Sequence, residues 1–384
     1  MSVTAAQGFQ AAGIAAGIKQ NGNPDLALVV NTGPRLAAAG VFTSNRVKAA
    51  PVLWSEQVLK GGLVSAVILN SGGANACTGP QGFQDTHATA EKVAEVLDGV
   101  NAGEVAVAST GLIGVTLPMD KLLPGVETAA GELSAHGGEK AAIAIKTTDS
   151  VHKTSVVTKD GWTVGGMAKG AGMLAPGLAT MLVVLTTDAD LEADVLDKAL
   201  RDATRLTFDR VDSDGCMSTN DTVLLLASGA SQVAPEYAEF ADAVREVCDD
   251  LGRQLIGDAE GASKDIKVEV VNAASEADAV EVGRSIARNN LLKCALHGED
   301  PNWGRVLSAI GTTSAAFEPD HLNVAINGVW VCKNGSVGED RELVDMRYRE
   351  VVITADLAAG AETATIWTND LTADYVHENS AYSS

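Results

Sequence analysis

The chain has 384 residues, 46% hydrophobic and 20% charged, with few aromatics (4%) and a net charge of −22. Its length exceeds what one hydrophobic core usually holds, so two domains or two large lobes are expected. The acidity argues against a nucleic-acid partner, whose phosphates need clustered Lys and Arg, and against an anionic membrane; its plainest use is solubility.

In chain order, Leu26–Asn31 (LALVVN) and Val64–Asn70 (VSAVILN) read as buried strands bounded by turn residues. Asn70–Gly79 is a polar loop of small residues. Thr86–Leu97 has helical spacing, and Val105–Ser109 is a short strand running into Thr110-Gly111. Gly131–Ile145 reads as partly helical and leads to the polar loop Lys146–Ser150. Met181–Thr187 (MLVVLTT) is a strong buried strand, Leu191–Leu206 a helix, Val223–Ala227 a strand, and Tyr237–Ile256 a long amphipathic helix. Lys267–Asn272 is a half-buried strand, Ala277–Leu292 a further helix, and Asp345–Leu357 contains an alternating strand. No repeat or low-complexity linker divides the chain, so an intimately mixed α/β body with a smaller lobe near the C-terminus is expected.

The cysteines, Cys77, Cys216, Cys248, Cys294 and Cys332, are scattered and never in CxxC spacing. No disulfide framework or metal site is predicted, and reduced thiols of a cytoplasmic protein are the simplest account, with Cys77 and Cys216 read as buried packing residues. The first eight residues lack the pattern of a signal peptide, and no run approaches the roughly 20 apolar residues that span a bilayer.

The chemistry concentrates in Gly165–Leu182, GGMAKGAGMLAPGLATML, a glycine-rich stretch read as a loop entering a strand. Gly170–Ala175 matches GxGxxG/A, but Pro176-Gly177 follow where a dinucleotide site needs a helix to open, so nucleotide binding is not predicted. Thr180 stands where the glycine-rich stretch meets the apolar run. It could simply begin a strand, as threonine often does. It could equally attack the Ala179 carbonyl, cut the chain, and free its own α-amine as a base, whose unperturbed pKa is about 7.7–8.0.

The run Lys169–Pro176 with Ala179-Thr180-Met181-Leu182 resembles the self-cleavage signature of the ornithine acetyltransferase (glutamate N-acetyltransferase) family. Asn70–Gly79, Ser109–Gly114, Thr147-Thr148-Asp149, Asp212–Asp221 (DSDGCMSTND), Asp258–Ala262, His297–Arg305 and the ending Asn379–Ser384 resemble its other motifs, in order. One departure is Gly177-Leu178, where many members have Asn-Met.

The resemblance implies a layered α-β-β-α sandwich with a smaller C-terminal α/β lobe, cut into an α chain (1–179) and a β chain (180–384), two of each per assembly. It implies Thr180 as cleavage residue and acetyl acceptor, and Thr110 and Gly111 as the oxyanion hole. Lys169 would face the substrate carboxylate, Glu260 its amine, and Thr147 or Thr148 would hydrogen-bond substrate, with Asn379 and Ser384 closing the pocket. The activity implied is ping-pong acetyl transfer from N2-acetyl-L-ornithine to L-glutamate in arginine biosynthesis, without a cofactor, acetyl-CoA being an alternative donor. Without the resemblance, Ser109-Thr110-Gly111 reads as a polar turn and Lys169 as a solvated loop lysine. His297 reads as structural rather than as the base of a triad with Asp300 or Asp212. Asp212, Asp214 and Asp221 read as turn hydrogen-bonders rather than a cation site. A self-processing aminopeptidase or amidase, in which water deacylates the threonine, and a non-catalytic α/β binding protein are the alternatives.

Overall fold

The computed structural model describes residues 2–175 and 181–381. Its contacts separate two units, Met1–Asp209 with Cys216–Leu255, and Arg210–Gly215 with Ile256–Ser383.

The first unit contains β1 (Phe9–Ile14), β2 (Leu26–Asn31), β3 (Ala37–Phe42), α1 (Ala50–Val58), β4 (Ala66–Asn70), α2 (Gly79–Val96), β5 (Val105–Ser109), α3 (Met119–Gly131), α4 (Gly138–Ala144), β6 (Lys153–Thr158), β7 (Thr163–Lys169), β8 (Leu182–Thr187), α5 (Ala193–Leu206), β9 (Thr222–Ala227) and most of α6 (Tyr237–Gly257). They form a four-stranded sheet, β1-β2-β4-β5, and a five-stranded sheet, β3-β9-β8-β7-β6. Alternate residues of the first sheet (Ala27, Val29, Val67, Leu69, Ala106) meet Met167, Leu182, Val184 and Leu224 of the second in one inter-sheet core. The intervening residues Leu28, Val30, Ile68 and Val107 point the other way, onto Ala90 and Val93 of α2 and Leu122 and Val126 of α3. A strand buried on both faces needs a continuous apolar run, which is why LALVVN was legible. The outer face of the second sheet carries α5, against β3 and β9, and α6, whose Val247 and Leu251 side chains lie over Gly166 of β7. A Cβ on Gly166 would lie 2.7 Å from the Leu185 side chain and 3.1 Å from those of Val247 and Leu251, so α6 packs closely over the sheet at this glycine. The layers are therefore helix, sheet, sheet, helix.

The second unit contains β10 (Asp265–Ala273), α7 (Glu276–Ala287), α8 (Asn290–His297), α9 (Trp303–Ile310), β11 (Asn323–Ile326), β12 (Val329–Lys333), β13 (Ser336–Val337), β14 (Glu350–Asp356), β15 (Glu362–Asn369) and α10 (Ala373–Ala381). One sheet, ordered β13-β12-β11-β14-β10-β15, packs Ile266, Val268 and Val270 against Val282 and Ile286 of α7 and Val306 and Ile310 of α9. This is the smaller C-terminal α/β lobe. Among the described residues, no helix is long and apolar enough to cross a membrane.

Several sequence expectations need adjustment. The helix expected from Thr86 starts at Gly79, with Pro80 in its first turn, where a missing N–H costs nothing. α3 was not expected, because Pro124 and Gly125 lie inside it and read as breakers. Ala277–Leu292 is two helices, divided where the Asn289 side chain caps the second by accepting from the Leu292 N–H. Gly165–Lys169, read as part of a glycine-rich loop, is the end of β7, paired with β8 from Lys169↔Leu182 through Gly165↔Thr186. Strands from before and after position 180 are thus neighbours in one sheet.

Candidate active site

β4 and β5 run parallel and end together at Asn70 and Ser109. Just beyond, Thr110 bridges to Gly73: its N–H donates to the Asn70 carbonyl (2.9 Å) and its carbonyl accepts from the Gly73 N–H (3.0 Å). Gly111 follows with φ +132°, and a Cβ there would lie 2.7 Å from the Gly73 nitrogen. Only glycine fits that backbone. Among the described residues, neither the Gly111 N–H nor the Thr110 hydroxyl is engaged in a hydrogen bond. Thr110 is buried. Two donors thus stand side by side at a strand end, unspent among the described residues; fixed donors of this kind are what a developing oxyanion needs.

The loop before β9 ties this turn to the start of β8. Asn220 is buried and its amide donates to the carbonyls of Ala74 (2.6 Å) and Ser109 (2.8 Å). The next residue, Asp221, accepts the Met181 N–H through one carboxylate oxygen at 3.1 Å. The Thr222 N–H donates to the Met181 carbonyl at the same distance, 3.1 Å. Met181, the residue after Thr180 in the chain, is therefore held on both its amide N–H and its carbonyl. The other oxygen of Asp221 is buried without a hydrogen-bond partner among the described residues. Burial pushes this carboxyl well above the usual range, against the opposing pull of the Met181 amide and Lys169.

A second cluster lies at the end of β7. Lys169 is 2% exposed, and its ammonium is 3.8 Å from the Asp149 carboxylate. Lys153, at 0% exposure, pairs with the same carboxylate at 2.7 Å. Asp149 also accepts the N–H groups of Gly170 (2.7 Å) and Thr147 (3.0 Å). Burial raises the Asp149 carboxyl, but Lys169, Lys153 and the Gly170 N–H outweigh it and hold it below the ordinary carboxylate range. One buried anion thus gathers Thr147, Lys169 and Gly170. Thr148 is half-buried beside Thr147. Lys19 joins from the β1–β2 loop, its ammonium donating to the Lys146 carbonyl (2.6 Å).

In the second unit, Asn379 donates to the Glu260 carboxylate at 2.9 Å. The structure so brings together two residues 119 apart in the chain that were named on resemblance alone. Ala179, Thr180 and Ser384 lie outside the described residues.

A model of the ArgJ family matches residues 10–384. The chain belongs to the ArgJ family. It is 88% identical, over 100% of both chains, to the arginine biosynthesis bifunctional protein ArgJ of Streptomyces avermitilis. It is 63% identical, again over 100% of both, to the protein of the same name from Thermobifida fusca. A crystal structure of ornithine acetyltransferase complexed with ornithine from Mycobacterium tuberculosis is 62% identical over 47% of this chain and 96% of that chain, with a TM-score of 0.45.

In this ArgJ-family chain the lysine read without the resemblance as a solvated loop residue is instead buried at a strand end, because β7 continues through Lys169 and Asp149 offers it a charge partner. The expectation for two cysteines also fails. Cys77 and Cys216 are exposed, each in a polar turn: Cys77 has φ +57° and Cys216 follows Gly215 with φ +72°. His297 pairs with neither Asp300 nor Asp212. Its Nδ1 lies 2.9 Å from Asp370 and 3.1 Å from the Ser263 hydroxyl. One ring nitrogen faces both partners, so the group anchors a turn and is not arranged as a nucleophile–base–acid relay. Asp212 pairs with Arg288 (2.7 Å). Asn220 and Asp149 were visible only as parts of longer motifs, and Asp221 only as a turn hydrogen-bonder; what marks them is burial of a charged or amide side chain at a strand end.

Proposed function

We propose that the chain is the bifunctional acetyltransferase of arginine biosynthesis, moving an acetyl group from N2-acetyl-L-ornithine to L-glutamate through Thr180. The observation that carries this is the unspent donor pair at Thr110 and Gly111, tied through Asn220 and Asp221 to the residue next to Thr180.

In the processing step the Thr180 hydroxyl attacks the Ala179 carbonyl. The Ala179–Thr180 C–N bond breaks as the acyl group moves to oxygen, and the amide nitrogen, which already carries one hydrogen, takes the hydroxyl proton to become the free α-amine. Water then hydrolyses the ester, leaving an α chain ending at Ala179 and a β chain beginning at Thr180. In turnover that amine takes the hydroxyl proton while the oxygen attacks the acetyl carbon of N-acetylornithine. Thr110 and Gly111 stabilise the resulting oxyanion. The acetyl C–N bond then breaks, the ornithine nitrogen leaves with the proton, and an acetyl-Thr180 ester remains. The amine of glutamate attacks this ester, releases N-acetylglutamate and restores the hydroxyl. The ester divides one difficult amide exchange into two easier steps.

Lys169, set by Asp149, holds the substrate carboxylate as a point charge. Thr147 or Thr148 donates to substrate, Glu260 with Asn379 receives the substrate amine, and Ser384 closes the pocket. The transfer uses no cofactor, and acetyl-CoA serves as the second acetyl donor in the bifunctional cycle. The enzyme works in the cytoplasm as two α and two β chains.

Incubating processed protein with N-acetylornithine, with and without glutamate, tests the reading. Sustained ornithine release should require glutamate. Release that continues equally without it would identify water as the acceptor and favour an amidase.

A further inference from the structure

Glu260 lies in the loop Asp258–Lys264, between α6 and β10, and this loop has no regular structure to fix it. What fixes it is the run Asn369-Asp370-Leu371-Thr372, at the junction of β15 and α10. The Asn369 amide donates to the carbonyls of Ile256 (3.0 Å) and Lys264 (3.1 Å), joining the two ends of the loop. The Asp370 carboxylate is fully buried and accepts the N–H groups of Ser263 and Lys264, both at 2.9 Å, with His297 on its other oxygen. The Thr372 hydroxyl donates to the Gly261 carbonyl at 2.6 Å, at the tip of the loop.

Thr372 has a second task. Its hydroxyl accepts the Tyr375 N–H at 2.9 Å, the third residue of α10, and so caps that helix. α10 then presents Asn379, which donates to Glu260 at 2.9 Å. The fit at the tip is close: Gly261 has φ +60°, and a Cβ there would stand 2.2 Å from the Tyr375 nitrogen. The loop is thus held at its base, its far end and its tip by three neighbouring side chains.

We propose that Asn369, Asp370 and Thr372 form a clamp that positions the Glu260 carboxylate, with Thr372 coupling the loop tip to the helix that carries Asn379. The proposal rests on Glu260 receiving the substrate amine. None of the three clamp residues touches substrate; they act through Glu260.

A double-mutant cycle on the processed enzyme tests this. Thr372→Val removes the hydroxyl at nearly constant volume. It should raise KM for N-acetylornithine, whose free side-chain amine Glu260 receives, about tenfold while kcat stays within about threefold, and Thr372→Ser, which keeps the hydroxyl, should restore KM. In a Glu260→Gln background, Thr372→Val should add nothing further, because the group it positions is already disabled. Gly261→Ala disturbs the same tip from the other side and should show the same rise and the same lack of additivity; it serves alone if Thr372→Val melts below the assay temperature. Full additivity of either variant with Glu260→Gln overturns the clamp. An unchanged KM in Glu260→Gln by itself instead contradicts the role of Glu260.

Discussion

Gly111→Ala should disable catalysis without emptying the substrate site. The added Cβ would stand 2.7 Å from the Gly73 nitrogen, 2.9 Å from its Cα and 3.1 Å from the Gly72 carbonyl carbon. All three are backbone atoms, so no side chain can swing aside. The Gly73 segment is itself bonded to Thr110 (3.0 Å), and relieving the clash must turn the Gly111 peptide or break that bridge. Either movement takes the Gly111 N–H away from the developing oxyanion. Losing one such donor costs about 2.7–4 kcal/mol, or about 10²- to 10³-fold in kcat. KM should change by less than about threefold, because the donor acts on charge present mainly in the transition state. Gly114→Ala is the matched control: its φ is also positive, +86°, but no described residue lies within 4 Å of the added carbon. It should carry the strain of a left-handed residue, about 1–3 kcal/mol of stability, and leave kcat nearly intact. Steady-state ornithine release by processed protein gives both constants. A Gly111→Ala enzyme whose kcat stays within tenfold of the parent would refute the assignment of this N–H.

Other substitutions probe the buried charges. Asp149→Asn takes the anion out of a fully buried pair with Lys153 and should destabilise the fold by about 3–5 kcal/mol in urea denaturation. The sign of its pH dependence is fixed. The Asp149 carboxyl is held below its unfolded value, so its stabilisation is complete above the ordinary carboxylate range and is lost as pH falls through the lowered value. The gap between parent and variant should narrow on acidification below about pH 4; a gap constant down to about pH 2 would contradict the ion pair. Asp221 gives the opposite trend. Its folded carboxyl titrates higher than the unfolded one, so the parent loses stability as pH rises above the unfolded value towards the folded one. Asp221→Asn, which keeps an oxygen for the Met181 N–H, should gain relative stability over that span, and a parallel pair of stability curves would argue against burial as the cause. Thr180→Ala should remain a single chain of 384 residues and release no ornithine.

The strands whose bounds were legible in the sequence were those buried on both faces, while α6 and β10 were legible through their helical and alternating periods. β2 and β5 were found with their bounds, and β8 and β9 to within a residue. β1 (FQAAGI) and β3 (AAAGVF) were not, because alanine and glycine carry little strand signal. Their small residues serve close packing: a Cβ on Gly13 would sit 2.0 Å from the Lys140 carbonyl oxygen of the neighbouring turn of α4. Of the candidate site, motif resemblance named Thr110, Lys169 and Glu260 but could not show what holds them. Asp149 reads as one polar residue in a loop, and only the fold brings Lys153 and Lys169 to it. Thr372 drew no reading from the sequence, and its bond to Gly261, 111 residues away, exists only in three dimensions.

The account turns on Thr180 as cleavage residue and acetyl carrier. Intact-mass measurement after brief exposure to N-acetylornithine, without glutamate, examines both at once. It should find two chains, one ending at Ala179 and one beginning at Thr180, the second heavier by one acetyl group that glutamate then removes. A single uncut chain, or a cut chain that never gains the acetyl group, would contradict it.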